Sequence, residues 1–327
     1  MTDQAETRQA GETCPKLVPD LPEVTPEMVN FVSNPSPPVV EEIEAGSVFL
    51  VHNLLSKEEC ASLIAACKEM NLAKTGSRKY RDCKRLVAKA TAVSEILFNR
   101  IRHLPLFSPL EVDPSDRTFH QPLFEGVAGR WTALGLNDVL RVCLYDPEGH
   151  FSPHFDGEFR RSDTERSLRT FMLYLNDVDD TEGGATKFLS TATGDEDDLE
   201  LTFNPSEDRY QAAPSATVRF SVPPRAGTAI IFNHRMLHEG AVLRSGEKWI
   251  LRSDIMYRQT SRHAAVEMTH SEKKALETVR AAQKLEEDAS SLPAGHPDRQ
   301  RLADEAVSLY MRVRRISSKV AAAFRLD

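Results

Sequence analysis

The sequence lacks several features that would place it in a specialised class of proteins. No apolar run reaches the roughly eighteen residues of a membrane span, so we expect no membrane association. The five cysteines contain no CxxC pair, which argues against a structural zinc site or a disulfide framework and favours free thiols. Residues 1–12 are polar and do not resemble a secretory signal. These absences predict a cytoplasmic protein, with the nucleus as the alternative.

An excess of basic charge is also missing. The 41 lysines and arginines are outnumbered by 49 acidic residues, which gives a formal net charge of -8. The densest basic stretch, from Arg78 to Arg85, is interrupted by Tyr80 and Asp82, and we expect it to lie within a folded domain. This charge balance does not favour nucleic-acid binding.

Composition divides the chain into three parts. Proline and acidic residues dominate residues 1–45, which predicts a mostly disordered leader that packs in part over the domain near Val39. Residues 46–258 have the apolar patterning of a folded domain, whereas residues 259–327 are charged and predict a C-terminal helical hairpin. Within the domain we expect helical support over 56–102, strands from about 139 to 258, and an acidic insert at 191–213.

Local signals place the individual helices. Ser56 followed by Glu59 forms a capping-box pattern and predicts a helix that ends near Met70. Apolar residues at helical spacing predict a second helix over about 87–102. In the C-terminal hairpin, we expect one helix at 272–289 and another at 296–324, with a turn between them.

Strands dominate the second half of the domain. Leu140, Val142 and Leu144 alternate with other residues at the period of a half-buried strand. Apolar runs at 167–175 and 227–232 predict further strands, and Gly and Asp turns rather than helices separate them. The pattern predicts a mainly β fold with flanking helices, built as an antiparallel sandwich or barrel.

A short His-x-Asp pattern is the first sign of chemistry. His154 and Asp156 lie two residues apart, so in a strand an imidazole and a carboxylate would stand side by side on one face. His238, after the apolar strand 229–232, is a candidate third ligand. Two histidines and one carboxylate leave three positions of an octahedral ion open, as in non-haem Fe(II) oxygenases that bind a chelating co-substrate and O2. The tripeptide alone is common by chance, so the sequence around it must show whether it marks a metal site.

Six motifs occur in a fixed order around this tripeptide. They are Tyr145-x8-His154-x-Asp156, RTFMLYLND at 169–177, GGATKF at 183–188, PxxGxAIIF at 224–232, HEG at 238–240 and GEKW at 246–249. Together with VHNLLSKEEC at 51–60, they resemble the prolyl 4-hydroxylase-like branch of the 2-oxoglutarate- and Fe(II)-dependent dioxygenase superfamily. The resemblance covers about residues 47–258 and leaves out the leader and the C-terminal hairpin.

This resemblance implies a double-stranded β-helix, or jelly roll, with flanking helices. It implies that His154, Asp156 and His238 hold Fe(II), that 2-oxoglutarate and O2 are co-substrates, and that ascorbate is the reductant. His150 and His234 match no ligand position, so we expect a structural or supporting role for them.

The resemblance also implies the residues of a co-substrate pocket. Lys248 stands ten residues after His238, at the position of the base that pairs with the distal carboxylate of 2-oxoglutarate. The pocket-lining residues that the resemblance implies are Tyr145, Tyr174 and Thr170. Arg252 is the alternative to Lys248, because it lies on the same strand face.

The implied reaction is hydroxylation of a protein or peptide substrate, with proline as the favoured target. The intact carboxylate at Asp156 favours hydroxylation, because halogenating relatives carry a small residue there. One alternative is oxidation of a small metabolite or natural product on the same barrel. Another is a catalytically silent jelly roll that serves as a binding module, with the C-terminal hairpin as a surface for a protein partner.

Overall fold

The computed structural model describes most of the chain from residue 21 onwards. The described residues are 21–33, 35–74, 78–113, 119, 127–162, 164–190, 201–262, 268–291, 296–324 and 326. The helices among them are α1 (Pro26–Val29), α2 (Lys57–Lys68), α3 (Thr91–Ile101), α4 (His270–Ser291), α5 (Pro297–Ile316) and α6 (Ser318–Ala323). Short 3-10 turns lie at Pro105–Phe107 and Asp180–Glu182.

Strands make up most of the remaining regular structure. The first nine are β1 (Val39–Glu44), β2 (Val48–His52), β3 (Ala73–Lys74), β4 (Arg81–Asp82), β5 (Lys84–Lys89), β6 (Leu110–Val112), β7 (Gly129–Leu136), β8 (Val139–Tyr145) and β9 (His150–His154). They are followed by β10 (Arg160–Ser162), β11 (Glu165–Tyr174), β12 (Thr186–Ser190), β13 (Leu201–Asn204), β14 (Arg209–Ala212), β15 (Thr217–Val222), β16 (Ala229–Asn233), β17 (His238–Gly240) and β18 (Lys248–Arg262).

Two antiparallel sheets form the centre of the domain. The major sheet has the strand order β1-β2-β16-β11-β18-β8-β5-β3, and the minor sheet has the order β15-β12-β17-β9-β4. In chain order, the eight strands β8, β9, β11, β12, β15, β16, β17 and β18 alternate between the sheets except at β12 and β15, which are neighbours in the minor sheet. This is the arrangement of a jelly roll. The predicted mainly β fold with flanking helices is confirmed.

The major sheet is buried on both faces. On one face, Leu251 and Phe171 join Leu63 of α2 and Leu97 of α3 in the largest apolar cluster. On the other face a second cluster, which includes Phe188 of β12, fills the space between the two sheets. Side chains that alternate along β8, β11 and β18 therefore point either to the helices or into the barrel, and the barrel interior is where polar residues can form a site.

Part of the predicted leader has regular structure. Residues 1–20 lie outside the described residues, but 39–44 form β1, which pairs with β2 through Val39↔His52 to Glu44↔Val48. The acidic residues that suggested disorder lie at the edge of the sheet, where they reach solvent while the backbone still pairs. Residues 26–29 also form the short helix α1, with Val29 buried in the main cluster.

The second helix begins later than predicted. Residues 84–89 form β5, which pairs with β8, and Leu86 and Ala88 are its buried positions. The alternating apolar residues of β5 are followed almost at once by the apolar positions of α3, so the two together resemble the spacing of one helix. Of the predicted acidic insert, residues 201–204 and 209–212 form the hairpin β13–β14, and 191–200 lie outside the described residues.

The C-terminal helices form a small cluster of their own. Ala275 and Val279 of α4 pack with Val313 and Val320, and the predicted helix at 296–324 is broken by the extended residue Ser317. None of the helices in the described part of the chain has the length and apolar character needed to cross a bilayer. Strand β18 continues to Arg262, beyond the boundary predicted at 258, and the division into domains stays a prediction.

Candidate metal centre and co-substrate pocket

Neighbouring strands of the minor sheet bring the three candidate ligands together. His154 ends β9, Asp156 follows two residues later, and His238 begins β17, where it pairs directly with His154. One ligand atom from each residue lies within 4.8 Å of the others. The Nε2 atoms of His154 and His238 are 3.9 and 3.7 Å from the two carboxylate oxygens of Asp156. The convergence expected from the sequence is present in the structure.

Both histidines are neutral and present their Nε2 lone pairs to this centre. The Nδ1 of His154 is 2.8 Å from the carbonyl oxygen of Ser152, and the Nδ1 of His238 is 2.9 Å from that of Met236. A carbonyl can only accept, so each Nδ1 carries the proton and donates it. Burial, and then the neighbouring His238, lower the pKa of His154 to about 3, and burial also lowers the pKa of His238. Neutral imidazole is the form that binds a metal.

The carboxylate of Asp156 is held in its ionised form. Burial alone would raise its pKa, but the neighbouring guanidinium of Arg252 outweighs burial and holds the pKa of Asp156 well below its usual range. The Nη2 atom of Arg252 lies 2.8 Å from Oδ1, and the hydroxyl of Thr170 donates to Oδ2 over 2.6 Å. An ionised carboxylate beside two neutral imidazoles is the donor set of the Fe(II) facial triad, so the residues fit that metal.

Behind Asp156, a short chain of hydrogen bonds runs through the barrel wall. The hydroxyl of Thr170 is 3.0 Å from Nδ1 of His234, whose Nε2 is 2.8 Å from the hydroxyl of Ser167. Burial lowers the pKa of His234 to about 4, so its ring is neutral. Ser167 therefore donates to His234, His234 donates to Thr170, and Thr170 donates to Asp156. Thr170, which was expected to line the co-substrate pocket, contacts the candidate metal ligand Asp156.

A buried lysine lies further along the same barrel interior. The side chain of Lys248 is 3% exposed, and its Nζ donates to the carbonyl oxygen of Gly184 at 2.5 Å. The Nζ is 5.2 and 5.7 Å from the ring centroids of Tyr145 and Tyr174. It forms no ion pair with any carboxylate of the described residues, and burial lowers the pKa of Lys248 to about 8. The structure thus places Lys248 beside the two tyrosines that the resemblance assigns to the co-substrate pocket.

Arg252 and Lys248 occupy different parts of the interior. They are four residues apart on β18, roughly 13 Å at ~3.3 Å per residue. Arg252 is directed at Asp156 and lies 3.4 Å from Asp254, so it already has acidic partners. Of the two, Lys248 has no acidic partner among the described residues, which favours it over Arg252 as the base for a free carboxylate.

Comparison with known proteins gives a family match that covers the strands carrying the candidate ligands. Residues 140–253 match the family described as the 2OG-Fe(II) oxygenase superfamily. Two relatives from Arabidopsis thaliana, probable prolyl 4-hydroxylase 3 and probable prolyl 4-hydroxylase 8, are 25% and 28% identical over 217 and 213 residues. Each alignment covers 62% of this chain and 66% or 65% of the relative, so the chain spans just under two thirds of their length.

Two solved structures align with part of this chain. One is the viral collagen prolyl hydroxylase of Paramecium Bursaria Chlorella virus-1, which is 18% identical with a TM-score of 0.38 and covers 67% of this chain and 99% of that chain. Another is a Pseudomonas putida prolyl-4-hydroxylase, also 18% identical with a TM-score of 0.38, which covers 66% of this chain and 94% of that chain. Over the strands that carry the candidate ligands, the chain is similar to the 2OG-Fe(II) oxygenase superfamily, and at 25% and 28% identity it is similar to the two plant prolyl 4-hydroxylases.

Proposed function

We propose that this protein is an oxidoreductase, a 2-oxoglutarate- and Fe(II)-dependent dioxygenase that hydroxylates a protein or peptide substrate, with proline as the target. The observation that carries the proposal is the convergence of two neutral imidazoles and one ionised carboxylate, from His154, His238 and Asp156. The family match and the names of the two plant relatives support the reaction class and the substrate class.

Within the barrel, one set of residues would hold the metal and another orients its carboxylate ligand. His154, Asp156 and His238 would hold the metal, and when bound, Fe(II) supplies the O2 activation that allows an unreactive C–H bond to be hydroxylated. Thr170 and Arg252 each bind one oxygen of Asp156, which fixes the orientation of that carboxylate. These contacts leave the Nε2 lone pairs of both histidines free for the metal.

The co-substrate would lie between this centre and Lys248. A dicarboxylate such as 2-oxoglutarate needs a cation at its far end, because an unpaired carboxylate is costly to bury. Lys248 offers that cation, and the rings of Tyr145 and Tyr174 exclude water around it. The hydroxyl of Tyr174 is occupied by Thr186 and the carbonyl of Val222, so its contribution is the shape of the pocket.

We also propose ascorbate as the reductant that keeps the metal in the Fe(II) state, and a reducing compartment, the cytoplasm, as the location. The second proposal is supported by Cys60, Cys67, Cys83 and Cys143, which are all buried free thiols. The domain division proposed from the sequence, with the dioxygenase domain at 46–258, is compatible with the ligand and pocket residues all lying in that range.

Succinate formation tests the proposal without knowledge of the substrate. Purified protein with Fe(II), 2-oxoglutarate and ascorbate is expected to form succinate slowly, and His154→Ala is expected to abolish it. His52→Ala is the matched control, because His52 lies on β2, is exposed and pairs with Glu41. Absence of succinate from the wild-type protein, or full turnover by His154→Ala, would contradict the proposal.

Mass spectrometry then separates the substrate classes. Proline-containing peptides and free metabolites are incubated separately, and each product is searched for the added mass of one oxygen atom. An oxidised proline in a peptide supports the proposed substrate. Oxidation of free metabolites alone would assign the enzyme to small-molecule chemistry instead.

A further inference from the structure

Three arginines lie in a row on the barrel-facing side of the major sheet. Arg252 on β18 pairs directly with Arg141 on β8. Arg85 on β5 pairs with Cys143, two residues from Arg141 on the same face of β8. Cys143 belongs to the apolar cluster between the sheets, so this face is the interior one. We call Arg85, Arg141 and Arg252 the arginine row.

The arginine row begins at the candidate metal centre. Arg252 contacts Asp156 with its Nη2 at 2.8 Å, whereas Arg141 and Arg85 lie progressively further out across the sheet. The side chains of Arg252 and Arg141 are 19% and 27% exposed, and Arg85 is half-buried. The row is therefore within reach of a molecule that enters the barrel toward the metal.

Acidic partners for these charges are few. Asp254 is shared, with its carboxylate oxygens 3.4 Å from Arg141 and 3.4 Å from Arg252. Arg85 makes neither a hydrogen bond nor an ion pair with any residue that the structure describes, and its Nε is buried without a partner. The Nε of Arg252 is likewise buried and unpartnered. Polar donors in this state are costly unless a ligand satisfies them.

A fourth arginine adds to the excess of positive charge. Arg81 contacts the sulfur atoms of Cys83 and Cys143 at 3.2 and 3.3 Å and stacks on Phe151 at 4.4 Å, without a carboxylate partner among the described residues. Burial lowers the pKa of Arg85, and the charges of Arg81 and Arg141 lower it further. The region thus concentrates like charges that repel one another, which an anion would relieve.

We propose that the arginine row binds an anionic group of the substrate, a carboxylate or a phosphate, next to the atom that is oxidised. A guanidinium presents a planar fork that binds either group through two parallel hydrogen bonds, and this suits the unpartnered donors of Arg85. The inference rests on the proposed dioxygenase function and adds to it the charge of the substrate.

The co-substrate does not account for the row. Lys248 provides a cation for the far carboxylate of 2-oxoglutarate, and it lies roughly 13 Å along β18 from Arg252 at ~3.3 Å per residue. The near end of a chelating co-substrate would lie at the metal ligands. Arg85 and Arg141 are displaced from both points across β8 and β5, so their donors are left for a different molecule.

Paired probes that differ by one charge test the inference. In one arm, blocked proline-containing peptides carry Glu, Gln, phosphoserine or Ser beside the proline, and in the other arm, L-proline is compared with L-prolinamide. Binding is measured by calorimetry under anaerobic conditions, on protein loaded with Fe(II) and 2-oxoglutarate. We expect the anionic member of one arm to bind about 10- to 200-fold more tightly than its neutral counterpart, the range of a charge-assisted hydrogen bond.

The preference is expected to disappear in Arg85→Gln and Arg141→Gln and to persist in part in Arg85→Lys, which keeps the charge. Arg258→Gln is the matched control, since Arg258 lies on β18 as well but is exposed and paired with Glu165. A preference in the peptide arm identifies an acidic or phosphorylated peptide, and a preference in the free-proline arm identifies a small acid.

Two results would overturn the inference. The first is equal binding, or no binding, of charged and neutral probes in both arms. The second is an increase in the KM for 2-oxoglutarate of Arg85→Gln beyond that of Arg258→Gln, because this would assign the row to the co-substrate. Failure of the proposed function has a different signature, the absence of succinate from the wild-type protein, and calorimetry reports the charge preference independently of turnover.

Discussion

Lys248 offers a sharp test, because its buried charge destabilises the folded protein when no co-substrate carboxylate is bound. Replacing it with methionine keeps the length of the side chain and its packing between Tyr145 and Tyr174, and it removes the ammonium group. We expect Lys248→Met to bind 2-oxoglutarate poorly and yet to be more stable than the wild-type protein. Few substitutions of a purely structural residue would produce this combination.

The magnitudes follow from the pKa of Lys248. Burial lowers it from 10.5 to about 8, and each pKa unit corresponds to ~1.36 kcal/mol, so the buried charge destabilises the folded state by about 3 kcal/mol at pH 7. The lost hydrogen bond to Gly184 offsets about 1 kcal/mol of this. The net gain of about 2 kcal/mol corresponds to an increase in Tm of about 4–8 °C.

The pH dependence has a definite sign. The folded-state pKa is lower than the unfolded one, so the destabilisation is complete below pH 8 and vanishes above about pH 10.5. The stability difference between Lys248→Met and the wild-type protein should shrink across that interval. In the wild-type protein, the KM for 2-oxoglutarate should rise above pH 8 as Lys248 loses its proton, whereas the KM of the variant should not follow this rise.

Thermal unfolding and succinate assays at several pH values measure these effects. Lys248→Met is expected to raise the KM for 2-oxoglutarate about 10- to 200-fold, because a charge-assisted hydrogen bond contributes ~1.5–3 kcal/mol. Excess co-substrate should rescue its turnover in part. An unchanged KM in Lys248→Met, together with a raised KM in Arg252→Ala, would refute the assignment of Lys248 as the co-substrate base.

Three further predictions concern the metal site and the scaffold. His238→Ala should lose both bound Fe(II) and succinate formation, with excess 2-oxoglutarate giving no rescue; metal analysis and turnover check this. Thr170→Val should weaken Fe(II) affinity about 10- to 100-fold by removing one contact to Asp156, measured by metal titration, and an unchanged affinity would contradict that role. Glu59→Gln should lower the free energy of unfolding by about 3–5 kcal/mol, because Arg100 would lose its buried partner; urea denaturation measures this, and a loss below 1 kcal/mol would contradict it.

The sequence predicted those parts of the site that follow from local spacing. His154 and Asp156 are two residues apart on one strand, and a period of two places them on one face. Lys248 was placed by its distance along the chain from His238, and the structure orients it toward the two expected tyrosines. Such assignments depend only on the spacing of residues within one strand or one motif, and this spacing is visible in the sequence.

Contacts between distant strands could not be predicted in this way. Thr170 reaches His234 because β11 pairs with β16, and nothing in either motif shows that register. Arg85 and Arg141 approach each other only because residues 84–89 form a strand that pairs with β8, whereas a helix was expected from about residue 87. Charge alone does not single out Arg85 from the basic residues around it, and only the folded structure shows that its Nε is buried without a partner among the described residues.

The metal ligands and the co-substrate cation lie on different sheets, which has a consequence for the cooperativity of the fold. His154 and His238 belong to the minor sheet, whereas Tyr145 and Lys248 belong to the major sheet. A co-substrate chelated at one end and paired with Lys248 at the other would tie the two layers together across the barrel. Amide hydrogen exchange should then slow in both sheets at once when metal and co-substrate are added together, and metal alone should protect mainly β9 and β17.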